Sequence, residues 1–280
     1  MPEPSKTMVL VYQMGKVGST AITQAVESLH LGIPVYHLHF LNDLDAVEQS
    51  IRRSWFMSEA QLHHLEHCRQ IRKQIDNQSE QQHCYVITLI RDPVARNISG
   101  FFYNLNLSKP ELFEKFSTGK RSISQLHDIF FESVNFDDGS QWFDQQLKPV
   151  FGIDVFNEIY PKPNGYKIYR KDNVSILLIK LEHLNTCGQH AFKEFLDIDD
   201  FEVISANRSE DTHYYEILKR FQETVQFPED YLRKAYATRI AQHFYSTQEI
   251  EQFKTRWLNS QPSGFRRIGQ KLSNLFDRQD

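Results

Sequence analysis

Cysteine is scarce in this chain of 280 residues: Cys68, Cys84 and Cys187 are an odd number at wide spacing, with no C-x-x-C pair and no disulfide framework. A reducing compartment is the expectation. No stretch approaches the ~18 consecutive apolar residues of a membrane-spanning helix, and the opening MPEPSKTMVLVYQ lacks the apolar core of a secretion signal. The sequence therefore reads as soluble and cytoplasmic. Excess charge of one sign is also missing: 32 Lys and Arg against 36 Asp and Glu leave a net charge of -4, which calls for neither nucleic acid nor an anionic membrane as partner. Any anion site has to be a local cluster. With no internal repeat and no low-complexity linker, one domain is expected over residues 1–260, followed by an amphipathic tail at 261–280.

What is present is an alternation of buried strands and amphipathic helices. MVLVY at residues 8–12 is apolar throughout, as in a strand covered on both faces, and a glycine-containing turn and a helix with apolar Ile22, Ala25, Val26 and Leu29 follow it directly. A second strand is predicted over 34–40, a polar helix over 58–77, and a third strand at YVITLI, residues 85–90. After that strand, Asp92 and Pro93 have the form of an N-cap and a first helical residue. Residues 104–122 read as polar loop and weak helix. A hairpin is predicted from 166–170 and 175–181, then helices near 188–196, 211–224, 228–244 and 247–258. These elements predict an α/β, P-loop-like three-layer fold with a central parallel sheet and a helical C-terminal cap.

Two segments carry chemistry. The turn Gln13-Met14-Gly15-Lys16-Val17-Gly18-Ser19-Thr20 combines backbone N–H groups, glycines that permit close approach, a lysine and two hydroxyls at a helix start, which together make a phosphate cradle. In a nucleoside triphosphate loop of the GxxxxGK[ST] kind the lysine directly precedes the hydroxyl, whereas Lys16 stands three residues before Ser19. A kinase reading is weakened by that spacing, and only Asp92 offers a magnesium-holding carboxylate. The second segment is Arg91-Asp92-Pro93-Val94-Ala95-Arg96-Asn97-Ile98-Ser99. Arg91 ends a central strand, where ligands bind in open α/β sheets, and Ser99 lies two turns into the next helix, so the two can share one phosphate. Arg96 is expected to pair with Asp92 at i,i+4.

A lysine-containing loop ending in Gly-Ser-Thr followed by an RDPxxRxxS segment resembles the paired signature of sulfotransferases that use 3'-phosphoadenosine 5'-phosphosulfate. The resemblance implies that Lys16, Val17, Gly18, Ser19 and Thr20 hold the 5'-phosphosulfate while Arg91 and Ser99 hold the 3'-phosphate, with no metal. LLIKLEHL at residues 177–184 is similar to a third family segment, with Leu181 and His183 departing from its usual form. Tyr36-His37-Leu38-His39-Phe40 resembles the YHxH stretch of uronyl and heparan sulfate 2-O-sulfotransferases, in which histidine is the base. By that likeness His39 is the candidate base, with His37 as its rival, and Lys16 the stabiliser of the leaving oxygen. Read from the residues alone, His37 and His39 are two side chains on one face of a short strand. Further on, WFDQQLKPVFGIDVF and HFYSTQEIEQFKTRW resemble bacterial capsular polysaccharide synthesis proteins, which implies a carbohydrate acceptor.

Other features admit blander readings. His63, His64, His67 and Cys68 lie on one predicted helix; His63 and His67 have metal-ligand spacing but no HExxH glutamate, and a solvated face accounts for them. Phe265, Ile268, Leu272, Leu275 and Phe276 form a stripe within 263–276 that either packs on its own domain or touches a membrane surface. Two rivals stand beside the sulfotransferase: a P-loop nucleotide kinase, and a non-catalytic nucleotide-binding protein on the same fold.

Overall fold

The computed structural model describes residues 7–53, 59–77, 82–136, 138–202 and 212–258, so the expected tail at 261–280 and its stripe at 263–276 lie outside the described residues. Five strands form one sheet: β1 (Met8–Tyr12), β2 (Val35–Leu38), β3 (Cys84–Ile90), β4 (Tyr166–Lys171) and β5 (Val174–Lys180), in the order β2-β1-β3-β5-β4. Four run parallel, with Val9 opposite both Val35 and Tyr85, and Val86 opposite Ile176. β4 is the antiparallel edge, paired to β5 as the predicted hairpin. The central strands read as unbroken apolar runs because helices cover both of their faces: all five side chains of β1 are buried, as are the last six of β5. The edge strand instead ends in exposed Arg170 and Lys171, which discourage pairing with another chain.

Helices fill the connections: α1 (Ser19–Ser28), α2 (Leu44–Arg53), α3 (Glu59–Asp76), α4 (Pro93–Ser108), α5 (Pro110–Ser117), α6 (Ile123–Ser133) and α7 (Asp138–Trp142). α7 runs through a π-helical turn at Phe143–Leu147 into α8 (Lys148–Phe151); α9 (Leu184–Leu196), α10 (Tyr215–Thr224), α11 (Glu229–Tyr236), α12 (Arg239–Phe244) and α13 (Thr247–Leu258) complete the chain. This is the three-layer α/β arrangement that the sequence predicts. Because the chain steps from β1 outward to β2 and then crosses back to β3, the strand order reverses between β1 and β3. In open sheets a crevice forms at that switch, beyond the carboxyl ends of the strands.

Two expectations are corrected. Residues 104–122 are not polar loop: α4 continues to Ser108 and α5 begins at Pro110, a residue suited to a first helical turn, and Leu105, Phe113 and Phe116 from this region are buried. The single helix predicted over 228–244 is broken at Thr238, whose extended backbone separates α11 from α12.

One layer is held by aromatic packing. Phe221 of α10, fully buried, meets Phe102 and Phe130 edge-on at centroid distances of 5.3 Å each, and Phe101 and His127 also pack around it. Replacing this ring leaves a cavity among partners fixed by two other helices, α4 and α6. Phe221→Ala is expected to lower the unfolding free energy by about 3–5 kcal/mol; a loss under about 1 kcal/mol in denaturant titration would show that α10 is not integral to this layer.

Candidate functional site

β1 delivers the chain to the switch point, and the loop from Gln13 to Gly18 lies there. Gln13 is fully buried and uses both of its oxygens: the side-chain Oε1 accepts from Leu89 N on β3 (3.0 Å), and the backbone oxygen accepts from His39 Nδ1 (2.8 Å). Gly18 caps α1 in a left-handed conformation, φ 96°, so the backbone favours glycine, and a Cβ there would stand 2.8 Å from Leu181 Cδ1 and displace that side chain. No side chain caps α1 at Gly18, and the first turn of the helix begins just beyond the carboxyl end of β1.

The loop is braced by the second predicted segment. Arg91 Nη1 donates to the Lys16 carbonyl and Arg96 Nε to the Gly15 carbonyl, both at 3.2 Å. Peptide units are planar and no cis bond occurs among the described residues, so the N–H groups of Lys16 and Val17 point away from these guanidiniums. The expected Arg96–Asp92 ion pair does not form, because Asp92 is fully engaged elsewhere. Its Oδ1 accepts from Val94 N (3.1 Å) and Tyr236 Oη (2.8 Å), its Oδ2 from Arg256 Nη2 (2.6 Å) and Trp257 Nε1 (2.8 Å). The backbone N–H of Asp92 donates to Glu182 Oε1 at 2.6 Å, and Tyr245 Oη donates to Glu182 Oε2, so the segment after β5 fixes the segment after β3. The acceptor capacity of Asp92 is spent within the fold, which removes the carboxylate that the kinase reading relied on.

Lys16 and Arg91 form no ion pair with any acidic residue among those described, although each lies in a largely buried position. Burial, and then the charge of Arg91, pull the Lys16 ammonium below its usual range; burial likewise lowers Arg91. Ser99 lies half-buried on α4 and makes no hydrogen bond to another described residue. Met14, Arg91, Arg96, Asn97, Ser140 and Thr238 line a pocket on the α4 side of the loop.

The two histidines differ. β2 ends at Leu38, so His37 belongs to the strand and His39 to the loop beyond it, their rings 4.9 Å apart. The Gln13 carbonyl can only accept, so Nδ1 of His39 carries the proton and Nε2 keeps its lone pair. Burial, and to a lesser degree the Lys16 charge, lower the pKa of His39 and keep it neutral at pH 7. His37 is pushed down to about 4, and its Nε2 is buried without a partner, which places it out of reach of an incoming group. The solvated face expected for His63, His64, His67 and Cys68 of α3 holds only for His63: the ring of His64 stands 5.9 Å from His39, His67 packs on Tyr36, and Cys68 is fully buried. Among the described residues no group of His, Cys, Asp and Glu has a metal-holding arrangement.

Sequence reasoning missed the supports. Trp142 Nε1 donates to the His39 carbonyl (2.9 Å), and Gln146 Oε1 accepts from Leu41 N and Asn42 N (3.1 Å each) and from Tyr12 Oη (3.2 Å). The π-helical turn that aims Gln146 at this loop has no pattern in the sequence; a buried polar residue within WFDQQL was the only trace. Gln13, a polar residue closing an apolar strand, was a plainer one.

Fold and site together define a mixed α/β protein with a glycine loop, Lys16 and Arg91 gathered at the carboxyl ends of its central strands. The chain belongs to the family described as "Putative capsular polysaccharide synthesis protein", whose model matches residues 104–246. The matched stretch contains Trp142, Gln146 and Tyr236, which brace the site, while the loop and both histidines precede it. No curated protein matches the chain. Among the described residues no helix is long and apolar enough to cross a membrane.

The buried His37 has a folded pKa below its unfolded one, so the unfolded chain binds more protons as pH falls from about 6.5 toward 4, and stability is lost over that window. Going from pH 7 to pH 5 is expected to cost on the order of 2 kcal/mol through this residue. His37→Gln should flatten that part of the stability profile in denaturant titrations; an unchanged slope would mean that His37 titrates normally.

Proposed function

We propose that the protein transfers a sulfuryl group from 3'-phosphoadenosine 5'-phosphosulfate to a hydroxyl of a carbohydrate acceptor. The observation that carries this reading is the pair Lys16 and Arg91, two neighbouring cations in no ion pair among the described residues, although Glu182 and Asp92 lie near Arg91, set against a glycine loop and a helix start at the switch point. Like charges brought together out of water are costly unless an anion completes them. Arg91 and Ser99 on one side, and the Lys16–Thr20 backbone on the other, suit a ligand with two separate anionic groups, as the resemblance of these motifs to sulfotransferases implies. The capsular polysaccharide family supports a carbohydrate as acceptor.

The residues present fit such a donor, which when bound supplies a sulfuryl group attached to a phosphate leaving oxygen. Loop N–H groups and the Ser19 and Thr20 hydroxyls would hold the phosphosulfate, with Arg91 and Ser99 on the 3'-phosphate. His39, neutral and with Nε2 unprotonated, accepts the proton of the acceptor hydroxyl as its oxygen bonds to sulfur. Nδ1–H keeps its bond to the Gln13 carbonyl throughout, which holds the ring in orientation. The ammonium of Lys16 meets the negative charge that gathers on the bridging oxygen as the S–O bond breaks. The kinase alternative lacks its magnesium carboxylate once Asp92 is committed to four donors.

Adenosine 3',5'-bisphosphate should raise the melting temperature of the protein, and 5'-AMP much less, because only the former meets Arg91 and Ser99. Equal shifts would remove the 3'-phosphate assignment. With radiolabelled sulfuryl donor and polysaccharide fractions, His39→Ala should lower transfer by about two to four orders of magnitude. Lys16→Ala should lower it about a hundredfold or more, with bisphosphate binding largely retained. Transfer that survives His39→Ala but fails in His37→Ala would reverse the two histidines.

A further inference from the structure

The side chain of Lys16 leaves the loop from an unusual backbone conformation, φ 70°, and runs toward α4 rather than out to solvent. Its Cγ lies 3.9 Å from the position that a Cβ on Gly100 would occupy, so the stem passes over the one residue of that helix face without a side chain. Its Nζ then sits 4.1 Å above the centroid of the Tyr103 ring. Tyr103 is 44% exposed and carries no core packing that would explain a large aromatic there. Arg96, Gly100 and Tyr103 follow one another at helical spacing on one face, and this is the surface of α4 that meets the loop.

We infer that Tyr103 is a positioning residue for Lys16: the Gly100 gap guides the lysine stem, and the tyrosine face holds the ammonium in place and in its charged form. Arg91 and burial both press Lys16 toward losing its proton, and an ammonium without a carboxylate partner has few ways to resist. The negative face of an aromatic ring is one, since it attracts the cation without neutralising it as a carboxylate would. A carboxylate at this position would compete with an incoming anion, whereas a ring does not. The inference rests on the sulfuryl-transfer reading only for its consequence in catalysis; the seating of the lysine stands on geometry.

The test reads the lysine directly. Amine titration of Lys16, followed through pH-dependent acylation and mass spectrometry of the peptide that contains it, is expected to show its midpoint falling by about one pH unit in Tyr103→Leu. Tyr103→Phe, which keeps the ring, should restore the wild-type midpoint. Because the exposed Tyr103 contributes little to the core, the melting temperature of both variants should stay within a few degrees of the parent. In transfer assays the alkaline limb should move to lower pH in Tyr103→Leu, since a group needed in its protonated form then loses its proton earlier. An unchanged Lys16 midpoint in Tyr103→Leu, or a midpoint that falls equally in Tyr103→Phe, overturns the inference. Absence of sulfuryl transfer in the wild-type protein overturns the reaction but leaves the titration to decide the role of Tyr103.

Discussion

The carboxylate of Asp92 is the interaction on which the site depends. It is fully buried at the end of the central strand β3 and satisfied by four donors drawn from three places: its own helix start, Tyr236 of α11, and Arg256 and Trp257 of α13. A buried charge of this kind is stable only when its partners are complete, and removing one typically costs on the order of 3–5 kcal/mol. Arg91 is its neighbour in sequence, so the anchoring of Asp92 fixes the backbone from which that guanidinium reaches the loop. A second buried pair, Lys180 with Glu249 at 2.6 Å, secures the end of β5 from the same helix α13. The two central strands that end at the crevice are thus held by one helix, through opposite charges on either strand.

That division of labour explains how two cations come to stand together without acid. The carboxylates nearest Arg91 are those of Asp92 and Glu182, and both are committed, Asp92 to the cap and the C-terminal helices, Glu182 to Asp92 N and Tyr245. Both carboxylates are thus held by bonds within the fold. Burial, and then the charge of Arg91, lower the affinity of Lys16 for its proton.

Much of this was legible in the sequence. The strands β1, β3 and β5 announce themselves because parallel strands covered on both faces have no polar positions, and the glycine turn with Lys16 follows directly from where such a strand ends. α13 was predicted over its full length from apolar spacing. What could not be read was anything set by tertiary choice. Arg96 was expected on Asp92 by helical spacing, but Arg256, 164 positions away, takes that place and Arg96 turns to the loop. His64 rather than His63 or His67 faces His39, because the rotation of α3 against the sheet is decided by packing rather than by ligand spacing. The π-helical turn that carries Gln146 adds a residue to the helix without any mark in composition.

The clasp formed by α13 has a consequence for the order in which the molecule is made. The loop at residues 13–18 is synthesised before Arg91 and Asp92, yet the partners that neutralise Asp92 and Lys180 come later still, at residues 249–257. Until those residues leave the ribosome, the ends of β3 and β5 carry buried charges without counterparts, and the crevice cannot settle. The loop thus settles only after α13 has emerged, so a polypeptide truncated before α13 could form strands and still lack the anchored crevice.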